Sequence, residues 1–472
     1  MSGPEDEVFD LAILGAGSAG LTGADFAAKL GVRVALIEKH RIGGDCTWTG
    51  CVPSKALIKS ARIAHEVRRA AGFGIDAGPP RADMGRVRDR IRATIASVYE
   101  HERPEALRER GITVIEGAAA FVDAHTIAVG ERRITAGRAV VCTGARPATP
   151  PVPGLAEVGY VTYETFFDND LLPAHLLVLG AGPIGLEMAQ AYRRLGAEVT
   201  VIGEQLLPRE EPEARAVVER VLAREGLRCL QGRVEGARRD GATITLSTSA
   251  GDVSGTMLLV ATGRRPNVHG LGLDRAGVEH SDKGVVVDAC LRTSVHHIYA
   301  AGDVIGGPQF THLAGWQCFQ AVRNALLPGN ARGIATVLPA VTFLDPEVAR
   351  VGASEAEARA THGEGIRVHH WQMSSTDRAQ CDGDLDGFVK VVCAVDRTIL
   401  GATIVAARAG EMIGEFALAV QRRLTLADLA ATIHAYPTWS MAVQQLASEV
   451  AVGDFLGSTS GRLATRLGAW LR

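Results

Sequence analysis

Lysine is scarce in this chain of 472 residues: Lys29, Lys39, Lys55, Lys59, Lys283 and Lys390 stand against 44 arginines. With so much alanine and arginine present, genomic base composition accounts for the bias. Charge of one sign is lacking too. The net charge of −3 removes the electrostatic case for a nucleic-acid partner. Eight cysteines are far too few for a secreted disulfide scaffold. Nineteen prolines and no Gly-X-Y period exclude a collagen-like or low-complexity chain. No window approaches the ~18 consecutive apolar residues that a membrane-spanning helix needs. The segment Met1 to Asp10 is acidic and lacks the apolar stretch of a signal peptide. These absences leave a cytoplasmic enzyme as the expectation. In that compartment an oxidised cysteine pair is usually catalytic or redox-sensing.

Glycine, by contrast, is abundant, with 54 residues, and the length predicts about three domains. Part of the glycine falls into two copies of one pattern. The run Leu11 to Leu14 meets Gly15-Ala16-Gly17-Ser18-Ala19-Gly20, followed by a helical pattern to Leu30 and a strand from Val32 to Ile37 that ends at Glu38. This is the dinucleotide fingerprint. Gly15 permits the turn, Gly17 lets backbone amides approach a pyrophosphate, and Gly20 lets helix and strand pack closely. The anion sits on the helix N-terminus beside Ser18, and Glu38 is placed to accept hydrogen bonds from a ribose. The pattern recurs from Leu176, with Gly180-Ala181-Gly182-Pro183-Ile184-Gly185, a helix through Leu195 and a strand Val199 to Ile202. Two fingerprints imply two dinucleotides. The second strand ends at Gly203-Glu204. Glu204 would repel a 2′-phosphate, which leans the coenzyme slightly to NADH over NADPH.

Between the copies lies Gly43-Gly44-Asp45-Cys46-Thr47-Trp48-Thr49-Gly50-Cys51-Val52-Pro53-Ser54-Lys55. In an ideal helix, residues five apart rise about 7.5 Å, whereas a disulfide wants Cα atoms roughly 4.4–6.8 Å apart. The pair therefore closes only if Cys46 lies in an irregular turn entering a helix. Gly50 permits that bend and Pro53 suits a first helical turn. Cys51 then sits near a helix N-terminus, where a thiolate is stabilised.

On these residues the chain resembles the class I pyridine nucleotide–disulfide oxidoreductases, the family of mercuric reductase, dihydrolipoamide dehydrogenase and glutathione reductase. The resemblance runs nearly the whole length. It implies that Cys46 and Cys51 form the redox-active disulfide, with Cys51 the flavin-facing charge-transfer thiolate and Cys46 the interchange thiol. Thr143-Gly144 and Ala261 to Asn267, with Gly263, look like the segments that close the nucleotide domains. Gly302-Asp303 looks like the segment whose Asp holds the ribityl chain of FAD. Gly44 joins the FAD set. Glu187 matches the family Glu that pairs with a Lys beside the flavin, and Lys55 is its partner; the alternative for Lys55 is a solvated helix residue. The implied fold class is α/β: two Rossmann-like dinucleotide-binding domains and a C-terminal α+β dimerisation domain. FAD would use residues 1–150 and 270–335, NAD(P)H residues 151–269, and the interface 336–472. Bound non-covalent FAD, an NADH or NADPH donor, a small-molecule acceptor and a homodimer follow.

One departure matters. The family's acid/base His stands before Pro-Thr, backed by a Glu; here Tyr436 and Met441 occupy those places. Tyr titrates near ~10 and His near ~6.5, so Tyr436 cannot take over general-base work at neutral pH without a large shift, but it can still donate a hydrogen bond. His434, two residues away, matches the family's non-catalytic His; it is the second candidate to substitute, with a structural surface or interface His as the alternative. This loss turns the reading toward mercuric reductase, since a soft metal ion is captured by thiolates directly. Yet no C-terminal cysteine pair follows Cys393, and no N-terminal C-x-x-C is present. No resident metal site is expected; a soft metal would meet Cys46 and Cys51 only as a transient substrate. The acceptor is thus a disulfide, a soft metal ion or another small oxidant. Two alternatives are dihydrolipoamide dehydrogenase proper and a flavin-bound redox sensor or assembly partner of low turnover.

The remaining cysteines (Cys142, Cys229, Cys290, Cys318, Cys381, Cys393) read as buried structural thiols, except Cys381 in the polar loop Arg378 to Gly387. Leu463, Leu467, Trp470 and Leu471 recur at helical spacing beside Arg462, Arg466 and Arg472. This basic amphipathic tail fits packing within a dimer, with contact to a membrane surface as the alternative.

Overall fold

A computed structural model describes residues 7–470. The chain divides into two compact units. The first contains the described residues to Glu204 and Leu227–Ala335, and the second Gln205–Gly226 and those from Thr336 on.

The first unit is built around the expected strand–turn–helix–strand. Strand β1 (Glu7–Leu14) leads to helix α1 (Ser18–Lys29) and strand β2 (Val34–Glu38). Leu11, Ile13, Leu14, Leu36 and Ile37 are at most 1% exposed. Unbroken apolar runs of this kind belong to a parallel sheet covered on both faces. Burying each such side chain contributes about 1.5–3 kcal/mol. Strands β3 (Ile112–Glu116), β4 (Ala119–Phe121), β5 (Thr126–Val129) and β6 (Arg132–Val141) complete the path β3-β2-β1-β6-β5-β4. The pairs β1–β2, β1–β6 and β2–β3 are parallel; β4–β5 and β5–β6 are antiparallel. Leu14 lies opposite both Ile37 and Val141, which brings three strand ends to one edge. Gly20 is required there, because a Cβ on it would stand 1.9 Å from the Gly15 carbonyl oxygen.

A second parallel sheet repeats the plan. Strand β7 (His175–Leu179) is followed by helix α4 (Pro183–Leu195), then β8 (Glu198–Gly203), β9 (Arg228–Gln231) and β10 (Met257–Val260) in the order β9-β8-β7-β10. Strand β11 (Ile298–Ala300) returns to pair with β6, and helix α5 (Thr311–Leu326) follows.

The second unit carries a five-stranded antiparallel sheet. Its strands are β12 (Ala340–Thr342), β13 (Glu347–Gly352), β14 (Arg367–Gln372), β15 (Phe388–Cys393) and β16 (Ile399–Ala406), in the order β12-β13-β16-β15-β14. Helices α6 (Ala409–Arg422), α7 (Met441–Gly457) and α8 (Thr459–Trp470) follow. Val389, Val391, Ile404 and Phe416 are fully buried in its core. One expected boundary shifts. Residues 205–226 were assigned with the second nucleotide domain, but they group with the C-terminal unit. Ion pairs tie this segment to the C-terminal unit. Lys390, 1% exposed on β15, holds Glu211 and Glu213 at 2.9 Å and Glu355 at 2.8 Å.

Three cysteine expectations are corrected. Cys290 is half-buried, not buried. Cys229 is exposed, because β9 is an edge strand paired only with β8. Cys381 sits in a short helix, Asp377–Asp382, instead of a loop, and is exposed as expected of it. On α8, Leu463, Leu467 and Trp470 are 59%, 52% and 82% exposed; Leu471 and Arg472 lie outside the described residues. No helix among the described residues is long and apolar enough to cross a membrane.

Candidate redox site

The glycine-rich entry into the cysteine segment places two short pieces of helix end to end. Helix α2 (Gly44–Trp48) carries Cys46, the chain breaks at Thr49 and Gly50, and helix α3 (Cys51–Arg69) begins at Cys51. The irregular turn therefore lies between the cysteines, not at Cys46. Gly44, at φ +58°, packs its Cα so close to Gly17 that a Cβ would meet it at 2.8 Å. The cysteine turn is thereby seated on the first fingerprint. The turn is pinned by Trp48, whose Nε1 donates to the Ile42 carbonyl at 2.7 Å, and by Thr47, which donates to Glu102 at 2.9 Å.

Both cysteines are free thiols. Cys51 opens α3 with no side-chain cap on the helix, so free N–H groups and the dipole favour a thiolate there. Its Sγ lies 3.1 Å from the Thr311 hydroxyl, at the start of α5. The thiol of Cys51 is lowered to about 6. The main cause is a hydrogen bond from Cys46; the Thr311 hydroxyl and the Lys55 charge add to it, against burial and Glu187. Cys46 moves the other way, far above the usual thiol range, chiefly because it donates to Cys51 and is desolvated. The reduced pair is thus one thiolate and one thiol. Lys55, one turn along α3 from Cys51, holds Glu187 of α4 at 2.9 Å. Glu187 is 6% exposed.

The FAD-set residues converge on the edge of the first sheet. Glu38 accepts from the Ala16 amide at 2.7 Å and the His40 amide at 2.9 Å. Helix α1 begins at Ser18, and Gly17 caps it without a side-chain hydrogen bond. Thr143 donates to the Asn267 carbonyl at 2.8 Å, and Asn267 donates to the Thr143 carbonyl at 3.0 Å. The Gly302 amide donates to Gln317 at 3.0 Å. Asp303 faces Arg264 at 3.2 Å, and Arg264 also bonds Asp45 and stacks over the Tyr163 ring. Burial pushes the Asp303 carboxyl up, and Arg264 partly offsets it. Arg264 Nε is buried without a hydrogen-bond partner. A glycine cradle, an uncapped helix N-terminus, an acid at the end of β2 and a buried Asp fit a flavin dinucleotide.

At the second fingerprint, Gly182 precedes α4 and Ile184 lies in its first turn, again with no side-chain cap. A Cβ on Gly185 would reach the Gly180 carbonyl oxygen at 2.0 Å. Gly263 has φ +136°. Glu204 is not a lone anion. Arg233 reaches it with Nε at 3.0 Å and a terminal nitrogen at 2.8 Å. The pair is exposed, so it weakens the charge argument for NADH without abolishing it.

In the second unit, Tyr436 donates to Asp377 at 2.9 Å and is 69% exposed. Asp377 raises the Tyr436 hydroxyl further from neutrality. Met441 and Gln445 line the same shallow depression. His434 Nδ1 lies 3.0 Å from the Thr432 carbonyl and Nε2 2.9 Å from Glu415. Both ring nitrogens are engaged inside the unit. Glu211, Glu213 and Glu355 have the spacing of a metal site, but the Lys390 ammonium fills it.

Thr311, Asp45, Arg264 and Tyr163 were missed in the sequence. Thr311 lies 260 residues from Cys51 and carries no local signal. Asp45 was visible only as a neighbour of Cys46.

Residues 9–318 match the pyridine nucleotide-disulphide oxidoreductase family, and residues 338–447 match its dimerisation domain. The chain belongs to this family, an FAD-dependent group of oxidoreductases with an NAD(P)H donor. Among its relatives is a mercuric reductase of Shigella flexneri, 38% identical over 448 residues, covering 91% of this chain and 78% of that protein. Another is a mercuric reductase of Streptomyces lividans, 35% identical, covering 94% and 97%. Among solved structures, LpdA from Mycobacterium tuberculosis is 30% identical with a TM-score of 0.86, covering 94% of this chain and 99% of that one. The Cu(II) complex of the HOCl-induced flavoprotein disulfide reductase RclA from Escherichia coli is 28% identical with a TM-score of 0.85, covering 93% and 100%.

Proposed function

We propose that this oxidoreductase passes electrons from NAD(P)H through Cys46 and Cys51 to a soft metal ion or a similar small oxidant. Dihydrolipoamide is turned over poorly. The observation that carries the reading is the split dithiol. Cys51 opens α3 at an uncapped N-terminus with the Thr311 hydroxyl 3.1 Å from its sulfur, a setting that lowers its thiol while that of Cys46 is raised, and Tyr436 and Met441 supply no base. Residues 1–150 and 270–335 hold FAD, residues 151–204 and 227–269 hold the coenzyme, and the C-terminal unit forms a homodimer.

Bound FAD supplies two-electron transfer between the coenzyme and the cysteine pair. The protein's own residues set the charge and the geometry. Glu187 holds Lys55 beside the cysteines, and the hydrogen bond from Cys46, followed by the Thr311 hydroxyl and the Lys55 charge, lowers the Cys51 thiol. A soft dication takes Cys51 directly. Cys46 then adds its sulfur and releases its proton to solvent, so capture needs no general base. Disulfide exchange by Cys46 does need one, because only the thiolate attacks a disulfide sulfur. The mercuric reductase relatives and the Cu(II) complex of RclA support a metal acceptor.

Steady-state rates with Hg(II), Cu(II), lipoamide and oxidised glutathione as acceptors, each with NADH and with NADPH, test the proposal. A metal ion is expected to turn over fastest. Lipoamide turning over faster than either metal refutes it.

A further inference from the structure

The flavin-binding unit contains a second pair of facing sulfurs. Cys142 follows β6 directly, and Cys318 lies on α5, two turns beyond Thr311. Their Sγ atoms are 3.5 Å apart, although 176 residues separate them in the chain. Cys142 is 5% exposed and Cys318 fully buried. The surroundings hold both in place. The Cys142 amide donates to the Leu14 carbonyl at 2.8 Å. A Cβ on Gly23 of α1 would stand 2.4 Å from the Cys318 sulfur, and one on Gly15 would stand 2.5 Å from the Cys142 carbonyl oxygen.

We propose that Cys142 and Cys318 are a second, latent disulfide site, closed by a small uncharged peroxide and locking the flavin-binding unit. A disulfide needs sulfurs at about 2.05 Å, so side-chain rotation closes a gap of about 1.5 Å. One thiol takes oxygen from hydrogen peroxide to give a sulfenic acid and water. The second sulfur displaces that hydroxyl as a second water and forms the S–S bond. Two thiols and one peroxide thus give one disulfide and two waters. Burial and the neighbouring sulfur push the Cys142 thiol up, so the site closes slowly, and only an oxidant that enters an apolar core reaches it. The bond would join the strand leading into Thr143-Gly144 to the helix whose first residue holds Cys51.

The test uses the full-length holoprotein. It is incubated with hydrogen peroxide, then treated with NADH and NADPH together to return Cys46 and Cys51 to thiols, alkylated, and mapped without reductant. A peptide linking Cys142 to Cys318, with Cys46 and Cys51 alkylated, is the expected result. The buried bond survives the reduction step because exchange requires access to a sulfur. Bridging so long a loop should also raise the melting temperature by about 3 °C or more. The Cys142→Ala and Cys318→Ala variants should each abolish both the linked peptide and the rise. Free Cys142 and Cys318 after peroxide, separate sulfinic acids, or links to other cysteines each overturn the proposal. The wild-type map decides the matter even if neither variant folds.

Discussion

Replacing Thr311 by Val isolates what holds Cys51 ionised. Valine keeps the shape of threonine and removes the hydroxyl that lies 3.1 Å from the Cys51 sulfur. A hydrogen bond to a charged group contributes about 1.5–3 kcal/mol, and one pKa unit corresponds to ~1.36 kcal/mol. The bond favours the thiolate, so its loss must move the Cys51 thiol upward. The expected shift is about one to two units, starting from about 6. The thiolate of the wild type then persists through neutral pH, while that of the variant is largely protonated near pH 7. The assay is a pH titration of the long-wavelength thiolate–flavin band in the holoprotein reduced by NAD(P)H. A midpoint displaced upward by a unit or more supports the account. A midpoint that stays in place, or moves down, refutes the claim that Thr311 donates to Cys51.

Other consequences are more local. Arg233→Ala exposes the Glu204 charge, so kcat/KM for NADPH should fall about tenfold while that for NADH holds; steady-state kinetics with both coenzymes check this. Lys390→Met leaves Glu211, Glu213 and Glu355 facing one another and should destabilise the C-terminal unit by about 3–5 kcal/mol in denaturant unfolding. In the wild type, Lys390 lowers the Glu213 and Glu355 carboxyls. Their contribution is present above the unfolded carboxyl range and is lost as the pH falls through the folded values, so acid unfolding monitored by circular dichroism should begin below about pH 4.5. Tyr436→His combined with Met441→Glu should raise dihydrolipoamide turnover by about 10²-fold or more, since it restores a base that titrates near neutrality; an unchanged rate argues that the base was never limiting.

Much of the flavin-binding architecture was legible because its requirements are local. The glycines, the apolar runs and the acid at Glu38 fall at spacings that only strand–turn–helix–strand satisfies, and the structure places them within two residues of the expected bounds. The Lys55–Glu187 pair came from resemblance and stands at 2.9 Å. What remained hidden depends on tertiary approach. Thr311 reaches Cys51 only because α5 returns to the first sheet. Arg233 reaches Glu204 only because β9 lies beside β8. The same holds for residues 205–226, which meet the C-terminal unit through Lys390, Arg350 and Asp386, all distant in sequence. Edge position likewise decided the exposure of Cys229, which composition could not signal.

The central claim is that Cys51 is the thiolate of the reduced pair and Cys46 its protonated partner. Anaerobic reduction of the holoprotein with NAD(P)H tests it most directly, in the wild type and in the Cys46→Ser and Cys51→Ser variants. The account predicts a long-wavelength thiolate–flavin band in the wild type and in Cys46→Ser, and none in Cys51→Ser. A band that survives in Cys51→Ser contradicts it.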